Sequence, residues 1–471
     1  MPMKTPEEYR ASLRDSRVVY YRGKRVPDVT AEPELSVGVE LGALDYQLAQ
    51  DPSHRSLTVA EDPDAPAPFS AYYKIPKSPE DLLARSRLIE HGTEHGSTIP
   101  PLIKEIGTDA LFALLRVLTG ESLERARAFY RHCRDQDLGV AVAQTDVKGD
   151  RSLAPHEQKD PDLYVRIVKK DDAGIVVRGA KAHTSGSANA HELIVLPTRA
   201  MGPDDASYAV SFAVPVATKG VSLYVSPFSG GAKNEFEFPL SSKTKMLESL
   251  TVFEDVFVPW ERVFLCEEPK LAGLLALTFV EYHRFTAVSY KLPLLDAMVG
   301  AAGAIAEMNG VLKAGHVRDK VTELITFAES VRGLTHLAAM RARVGEHGIA
   351  YPDPMTVNIA KLTFGRGYHQ AVALLQECAG GLLATAPGSE DWESPEVRPV
   401  LEKFFRGTVP AADRLRMMHL ISDITARDFG GYHAVLAIHA EGSIEAEKMQ
   451  ILRSYDPRRA QKLARKYAKI G

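Results

Sequence analysis

His283 and Arg284 stand side by side, and Lys291 follows eight residues after His283. Eight residues is just over two helical turns, so one face of a helix can carry both His283 and Lys291. An imidazole titrates near neutral pH and suits a general base or a substrate anchor. Facing inward, both groups need polar partners; a Lys turned to solvent is the ordinary alternative. His91 and His95 are four residues apart, the spacing of two ligands on one helical face. The Glu between them does not directly follow the first His, so the HExxH pattern is missing, and Gly92 and Pro100-Pro101 argue against a helix. A polar pocket wall or a part-exposed turn is the reading for this pair, and no metal is assigned.

Two polar segments suit ligand binding. Gln144-Thr145-Asp146-Val147-Lys148-Gly149-Asp150-Arg151 has a central Gly and two cations, Lys148 and Arg151, that could hold phosphate. It lacks the GxxxxGK[ST] spacing, and a solvated turn with local ion pairs is the alternative. Lys181 to His191 follows a strong strand pattern, and Thr184 and Ser185 there offer hydroxyls that can hydrogen-bond the edge of a planar cofactor. A plain Ser/Gly loop fits the same letters. Cys133, Cys266 and Cys378 show no CxxC or zinc spacing and read as small buried side chains.

Three zones must position these groups. Residues 1–139 read as largely helical. Ser78-Pro79-Glu80-Asp81 opens one helix with a cap, a first-turn Pro and acids at the positive dipole end. A short hairpin is expected over 18–26. Residues 140–270 change to period two. The runs 164–168 and 175–180 flank the turn Asp171-Asp172-Ala173-Gly174, and further strands fall at 193–197, 208–214, 221–225 and 250–258. Many short strands without intervening helices imply an antiparallel sheet or barrel. Residues 271–471 return to helices, at 274–308, 317–344, 356–379, 400–425 and 431–452, with Pro293 able to kink or split the first. Ala297 to Ala306 is dense in Ala and Gly and suits a buried bundle helix.

The 471 residues hold 57 Lys plus Arg and 61 Asp plus Glu, a net charge of −4. That balance does not favour a general polyanion binder such as a nucleic-acid protein. Three Cys give no disulfide framework, and a reduced, cytoplasmic setting is expected. The N-terminal residues have no apolar core of a signal peptide. The longest apolar run, 292–306, contains Asp296 and falls short of the roughly 20 residues that span a bilayer. No fixed-period repeat is present.

Thr145 to Arg151, Gly174 to His183, Val256-Phe257-Val258-Pro259 and His283-Arg284 together resemble the 4-hydroxyphenylacetate 3-hydroxylase family, which includes the 4-hydroxybutyryl-CoA dehydratases. The resemblance spans nearly the whole chain. It implies an α+β multidomain, acyl-CoA dehydrogenase-like fold: a helical N-terminal domain, a central antiparallel β domain and a C-terminal helical bundle, usually in a homotetramer. It implies FAD, contacted by Gln144, Thr145, Lys148, Gly149, Asp150 and Arg151, with Thr184 and Ser185 beside the isoalloxazine. Glu248, His283 and Lys291 match positions where the dehydratase branch carries functional residues. That branch also holds an iron–sulfur cluster on Cys. Here no Cys precedes Cys133, and Tyr290 stands seven residues after His283 where a cluster Cys is expected. Thiolate ligation has no substitute among these residues, so no cluster is expected. The Arg and Tyr with which the monooxygenase branch holds a phenolate are not evident around 91–101. His91 and His95, with Tyr290, are therefore expected to line a different substrate pocket. The implied activity is a two-component monooxygenase, taking reduced FAD from a separate flavin reductase and hydroxylating an aromatic or other electron-rich small molecule through a C4a-hydroperoxyflavin. The alternative is a cluster-free FAD enzyme acting on an acyl-CoA, and a third reading is a non-catalytic assembly protein.

Overall fold

The structure is a computed structural model that describes residues 3–228, 231, 233–345 and 347–470. Two sheets occupy its middle. The larger runs in the order Lys24–Val26, Val18–Tyr21, Val221–Val225, Glu248–Pro259, Gly174–Ser185, Arg166–Asp171. The smaller runs Val263–Cys266, Val210–Pro215, Glu192–Val195, Val140–Ala143. Pairing is mostly antiparallel, as period two and short connections require. The expectation of a purely antiparallel sheet is corrected in two places. Val18–Tyr21 lies parallel to Val221–Val225, and Val140–Ala143 lies parallel to Glu192–Val195. The first pair comes from the expected N-terminal hairpin, which joins the edge of the large sheet instead of staying with the helices around it.

Alternation explains the layering. In Gly174–Ser185 the inward residues Ile175 and Val177 meet Leu193, Val195, Phe212 and Val214 of the smaller sheet in one core. The strands Val140–Ala143 and Glu192–Val195 are buried at every position. Ala141 and Ala143 face the large sheet, whereas Val140 and Val142 face helices, together with Leu111, Leu114, Phe129 and Phe279. The small sheet is thus sandwiched, which is why its strands read as continuous apolar runs. Each fully buried Val, Leu or Phe contributes about 1.5–3 kcal/mol.

Helices close both ends of the sandwich. Glu105–Val117 packs on the first half of the 40-residue helix Pro269–Met308. The second half of that helix joins Gly315–Met340, Pro354–Ala379 and Ala411–Thr425 around Leu295, Met298, Phe364 and Ile421. Pro293 sits inside the long helix without splitting it. Three expected helices are corrected. The run at 400–425 is two helices, Arg398–Phe404 and Ala411–Thr425, because Gly407 and Pro410 interrupt it. The run at 317–344 ends at Met340, and Arg343–Val344 pairs with Ala350–Tyr351. The run at 431–452 divides into Asp428–His439 and Ile444–Ser454. The second break includes Glu441 at φ 57° and Gly442 at φ 109°. Among the described residues no helix is long and apolar enough to cross a membrane.

Candidate active site

A cavity of about 970 Å³ opens between the ends of two central strands, the long helix and the last helices. One wall is the segment after Val140–Ala143. It is pinned from behind by a buried ion pair, Lys181 Nζ to Asp146 Oδ1 at 2.8 Å. Lys181 also donates to the carbonyls of Gln144 and Leu196, both at 2.9 Å. Burial pulls the Lys181 ammonium below its ordinary range, against the attraction of Asp146. Asp146 Oδ1 accepts the Val165 N–H at 3.0 Å, and its own N–H donates to Thr198 Oγ1 at 2.9 Å. This scaffold turns Gln144, Thr145, Lys148 and Arg151 toward the cavity, whereas Gly149 and Asp150 lie outside its lining. Asp150 instead caps its own turn, accepting from Ser152, and Gly149 packs where a Cβ would meet Leu163 and Gln158. Both shape the loop from outside the cavity lining. Burial, then the Arg151 charge, draws the Lys148 ammonium below its ordinary value.

The second wall is the end of Gly174–Ser185. Its register with Glu248–Pro259 sets Glu248 opposite Ser185. Ser185 Oγ donates to Glu248 Oε1 at 2.9 Å, and Tyr432 Oη donates to the same oxygen at 2.8 Å. Burial nevertheless raises the Glu248 carboxyl above its usual value, outweighing those two donors. Ser185 and Glu248 line the cavity; Thr184 does not, and its side chain is fully buried with Oγ1 lacking a protein partner.

The long helix forms the third wall. His283 stacks on Phe279 at 5.0 Å between centroids. Its Nδ1 lies 3.6 Å from Asp109 Oδ2, and neither atom has a hydrogen bond. Asp109 is held by Arg85 Nη2 at 2.7 Å and by the Thr286 hydroxyl at 2.9 Å. The fixed Asp109 carboxylate thus stands behind one imidazole nitrogen of a ring that lines the cavity. Tyr290 also lines the cavity and donates to Glu441. Lys291 is just behind the lining and pairs with Glu441 Oε2 at 2.9 Å. Lys361 Nζ stands 3.7 Å from Glu441 and 3.3 Å from Glu447. Burial takes Lys291 down to about 8, against the pull of Glu441. Burial alone would raise the Glu441 carboxyl, but Lys291 and Lys361 outweigh it and bring it down to about 2.

His91 and His95, expected to line a substrate pocket, are absent from the lining of this cavity. The helix Pro79–His95 runs through Gly92 and carries both, turning them to His54 instead. Sequence reasoning missed Arg199, Tyr432 and Glu441 in the cavity, and gave Arg284 no role of its own. Glu441 had a signal, since Gly442-Ser443 is a helix stop followed by a helix cap.

The cavity therefore joins apolar groups, including Leu102, Ile106, Val142 and Val280, to a cationic cluster of Lys148, Arg151 and Arg199. Such a site suits a large ligand with a flat apolar end and an anionic end. None of the three cysteines lines it.

Comparisons with known proteins show the family and the fold. Family models described as the N-terminal and C-terminal parts of 4-hydroxyphenylacetate 3-hydroxylase match residues 5–265 and 272–469. The chain is 31% identical to the 4-hydroxybutyryl-CoA dehydratase/vinylacetyl-CoA Δ-isomerase of Clostridium aminobutyricum, covering 99% of each chain. An archaeal 4-hydroxybutyryl-CoA dehydratase from N. maritimus superposes with a TM-score of 0.93 at 28% identity, covering 100% of this chain and 95% of that one. The oxygenase component of 4-hydroxyphenylacetate 3-monooxygenase, complexed with FAD, superposes with a TM-score of 0.91 at 28% identity, covering 99% and 98%.

Proposed function

Because the chain belongs to the 4-hydroxyphenylacetate 3-hydroxylase family, we propose that it is a FAD-dependent oxygenase component that hydroxylates a phenol or another electron-rich small molecule, with reduced flavin supplied by a separate reductase. The observation that carries this reading is the cavity itself, with apolar walls beside a cationic rim. Its residues fit FAD. Lys148, Arg151 and Arg199 offer the charges that a diphosphate needs. Ser185 lines the cavity at the strand end expected to meet the ring, with Thr184 buried behind it. Bound flavin would supply the redox chemistry and the activation of oxygen.

The protein's own groups then have defined tasks. His283, oriented by Asp109, would accept a substrate proton on the nitrogen opposite Nδ1. Glu248, accepting from Ser185 and Tyr432, would hold a proton acceptor at the pocket wall. Tyr290 and Tyr432 would close the pocket's inner end and limit water. The cysteines lie outside this cavity, so it offers no thiolate set for an iron–sulfur cluster. We also propose a homotetrameric assembly.

One observation favours a second reading. Glu248, His283 and the Lys291–Glu441 pair surround one cavity, an acid–base set able to move a proton on an acyl-CoA. The test mixes protein with reduced FAD, oxygen and either phenols or CoA thioesters. Slowed flavin reoxidation with hydroxylated phenol supports the oxygenase. Double-bond migration in a thioester without oxygen uptake replaces it by the second reading. Reoxidation at the free-flavin rate with every substrate overturns both.

A further inference from the structure

The three imidazoles of His54, His91 and His95 meet on the outer side of the molecule, away from the cavity lining. One ring nitrogen from each lies within 4.8 Å of the others. His91 Nε2 is 3.1 Å from His54 Nδ1. In a tetrahedral site with metal–nitrogen bonds of about 2.0–2.1 Å, ligand nitrogens stand about 3.3 Å apart. That pair already has this spacing, and a turn of the exposed His95 ring completes the set. We propose that His54, His91 and His95 form a binding site for a divalent transition metal of the zinc, cobalt or nickel class.

The surrounding bonds select the nitrogens such a site needs. His95 Nδ1 donates to the His91 carbonyl at 2.9 Å, which leaves Nε2 with its lone pair free. His54 Nε2 faces Asp51 Oδ2 at 4.0 Å, which favours a proton on Nε2 and leaves Nδ1 as the ligand. With His54 Nδ1 accepting, His91 Nε2 donates to it at 3.1 Å, and a bound metal would displace that proton. An all-imidazole set suits zinc, cobalt, nickel or copper and does not suit calcium or magnesium, which take oxygen ligands. The fourth position faces solvent, since His95 is exposed. His95 is the last residue of the helix Pro79–His95, where the negative end of the helix dipole also favours a cation.

The site would clip two elements together. His54 lies just after the helix Pro33–Gln50, which Asp51 terminates, and it precedes the short helix Arg55–Thr58. His91 and His95 belong to the last turns of Pro79–His95. The same helix carries Arg85, which holds Asp109 behind His283. The clip therefore ties down the helix that positions the cavity's histidine.

Full-length protein without an affinity tag, stripped by chelator, should bind one equivalent of Zn(II) with a dissociation constant of micromolar order. Zn(II) should raise its melting temperature, and Co(II) should develop the visible absorption of a tetrahedral site. Affinity should fall as the pH drops through the imidazole range, because protons compete for the ligands. His95→Ala should weaken binding at least tenfold, and because the side chain is exposed the metal-free fold should be unaffected. His54→Ala should act similarly, with metal-free melting as its control. No saturable binding below about 1 mM, or binding unchanged by H95A, overturns the proposal.

Discussion

Glu441 shows how one residue can set the chemistry of a site. Its carboxyl is fully buried, yet Lys291 and Lys361 hold it ionised and well below its ordinary 4.5, at about 2. The native value lies below the unfolded one, so the stabilisation is present above pH 4.5 and is lost as pH falls toward 2. A shift of that size corresponds to about 3 kcal/mol. Glu441→Gln should therefore lose about 3 kcal/mol at neutral pH, and far less at pH 3. Urea unfolding at both values checks this; an equal loss at both would mean that the pair is not ionised. Lys291 moves the same way: without Glu441, its ammonium should fall further below about 8. Glu248 behaves oppositely, since burial raises its carboxyl despite two hydrogen-bond donors. Glu248→Gln preserves size and removes a group that can accept and return a proton, so it should reduce turnover at least tenfold while leaving flavin affinity within about twofold. A larger loss of flavin affinity than of turnover would assign Glu248 to binding instead.

The legibility of the site followed the distance over which its parts communicate. Glu248, His283 and Lys291 were named through the family resemblance; Glu248 and His283 line the cavity and Lys291 lies behind it. Asp109 could not be found this way: its link to His283 crosses from one helix to another and depends on Arg85 from a third. Nor could the partnership of His54 with His91, which are 37 residues apart.

At the scale of elements, the break between Asp428–His439 and Ile444–Ser454 matters most. A continuous helix would carry Glu441 along a regular surface. The break lets its carboxylate reach Tyr290 and Lys291. Ser443 restarts the helix, its Oγ accepting from the Ala446 N–H at 3.3 Å. Gly442 stands at φ 109°, and a Cβ there would come within 2.5 Å of Arg284 Nη2. Gly442→Ala should thus combine backbone strain of about 1–3 kcal/mol with displacement of Arg284. We expect Gly442→Ala to lower the melting temperature by more than Ser443→Ala, which should cost about 1 kcal/mol; equal losses would show that Arg284 yields to the new Cβ without cost.

The same scale explains which elements patterning could find. Period-two strands such as Gly174–Ser185 alternate cleanly because one face meets the core. The helix Pro33–Gln50 escaped notice because buried residues, including Gly38, Gly42, Asp45 and Tyr46, occupy much of its circumference and blur the amphipathic period. Val140–Ala143 is too short and too uniformly apolar to show any period. The split of 431–452 was readable in Gly442-Ser443, but apolar residues on both sides suggested continuity.

For the whole molecule, the last helix poses a question of partnership. Arg458–Ala468 has no buried residue. Leu463 and Tyr467 are four residues apart and share one face, 47% and 74% exposed, and Ile470 extends the apolar side. An isolated helix of this length is marginal in water. Its stability therefore calls for another surface, and the proposed homotetramer supplies one in a second copy of the chain. Further exposed apolar groups at Met449, Leu452 and Tyr455 lead into it. A chain ended after Ser454 should keep the two-sheet core, whose residues all lie before it. By light scattering, the full chain should have the mass of four copies and the shortened chain a smaller assembly. Leu463→Asp with Tyr467→Asp should reproduce the truncation, because a charge on the face excludes it from an apolar contact. If both altered proteins remain tetramers, the helix does not hold the copies together.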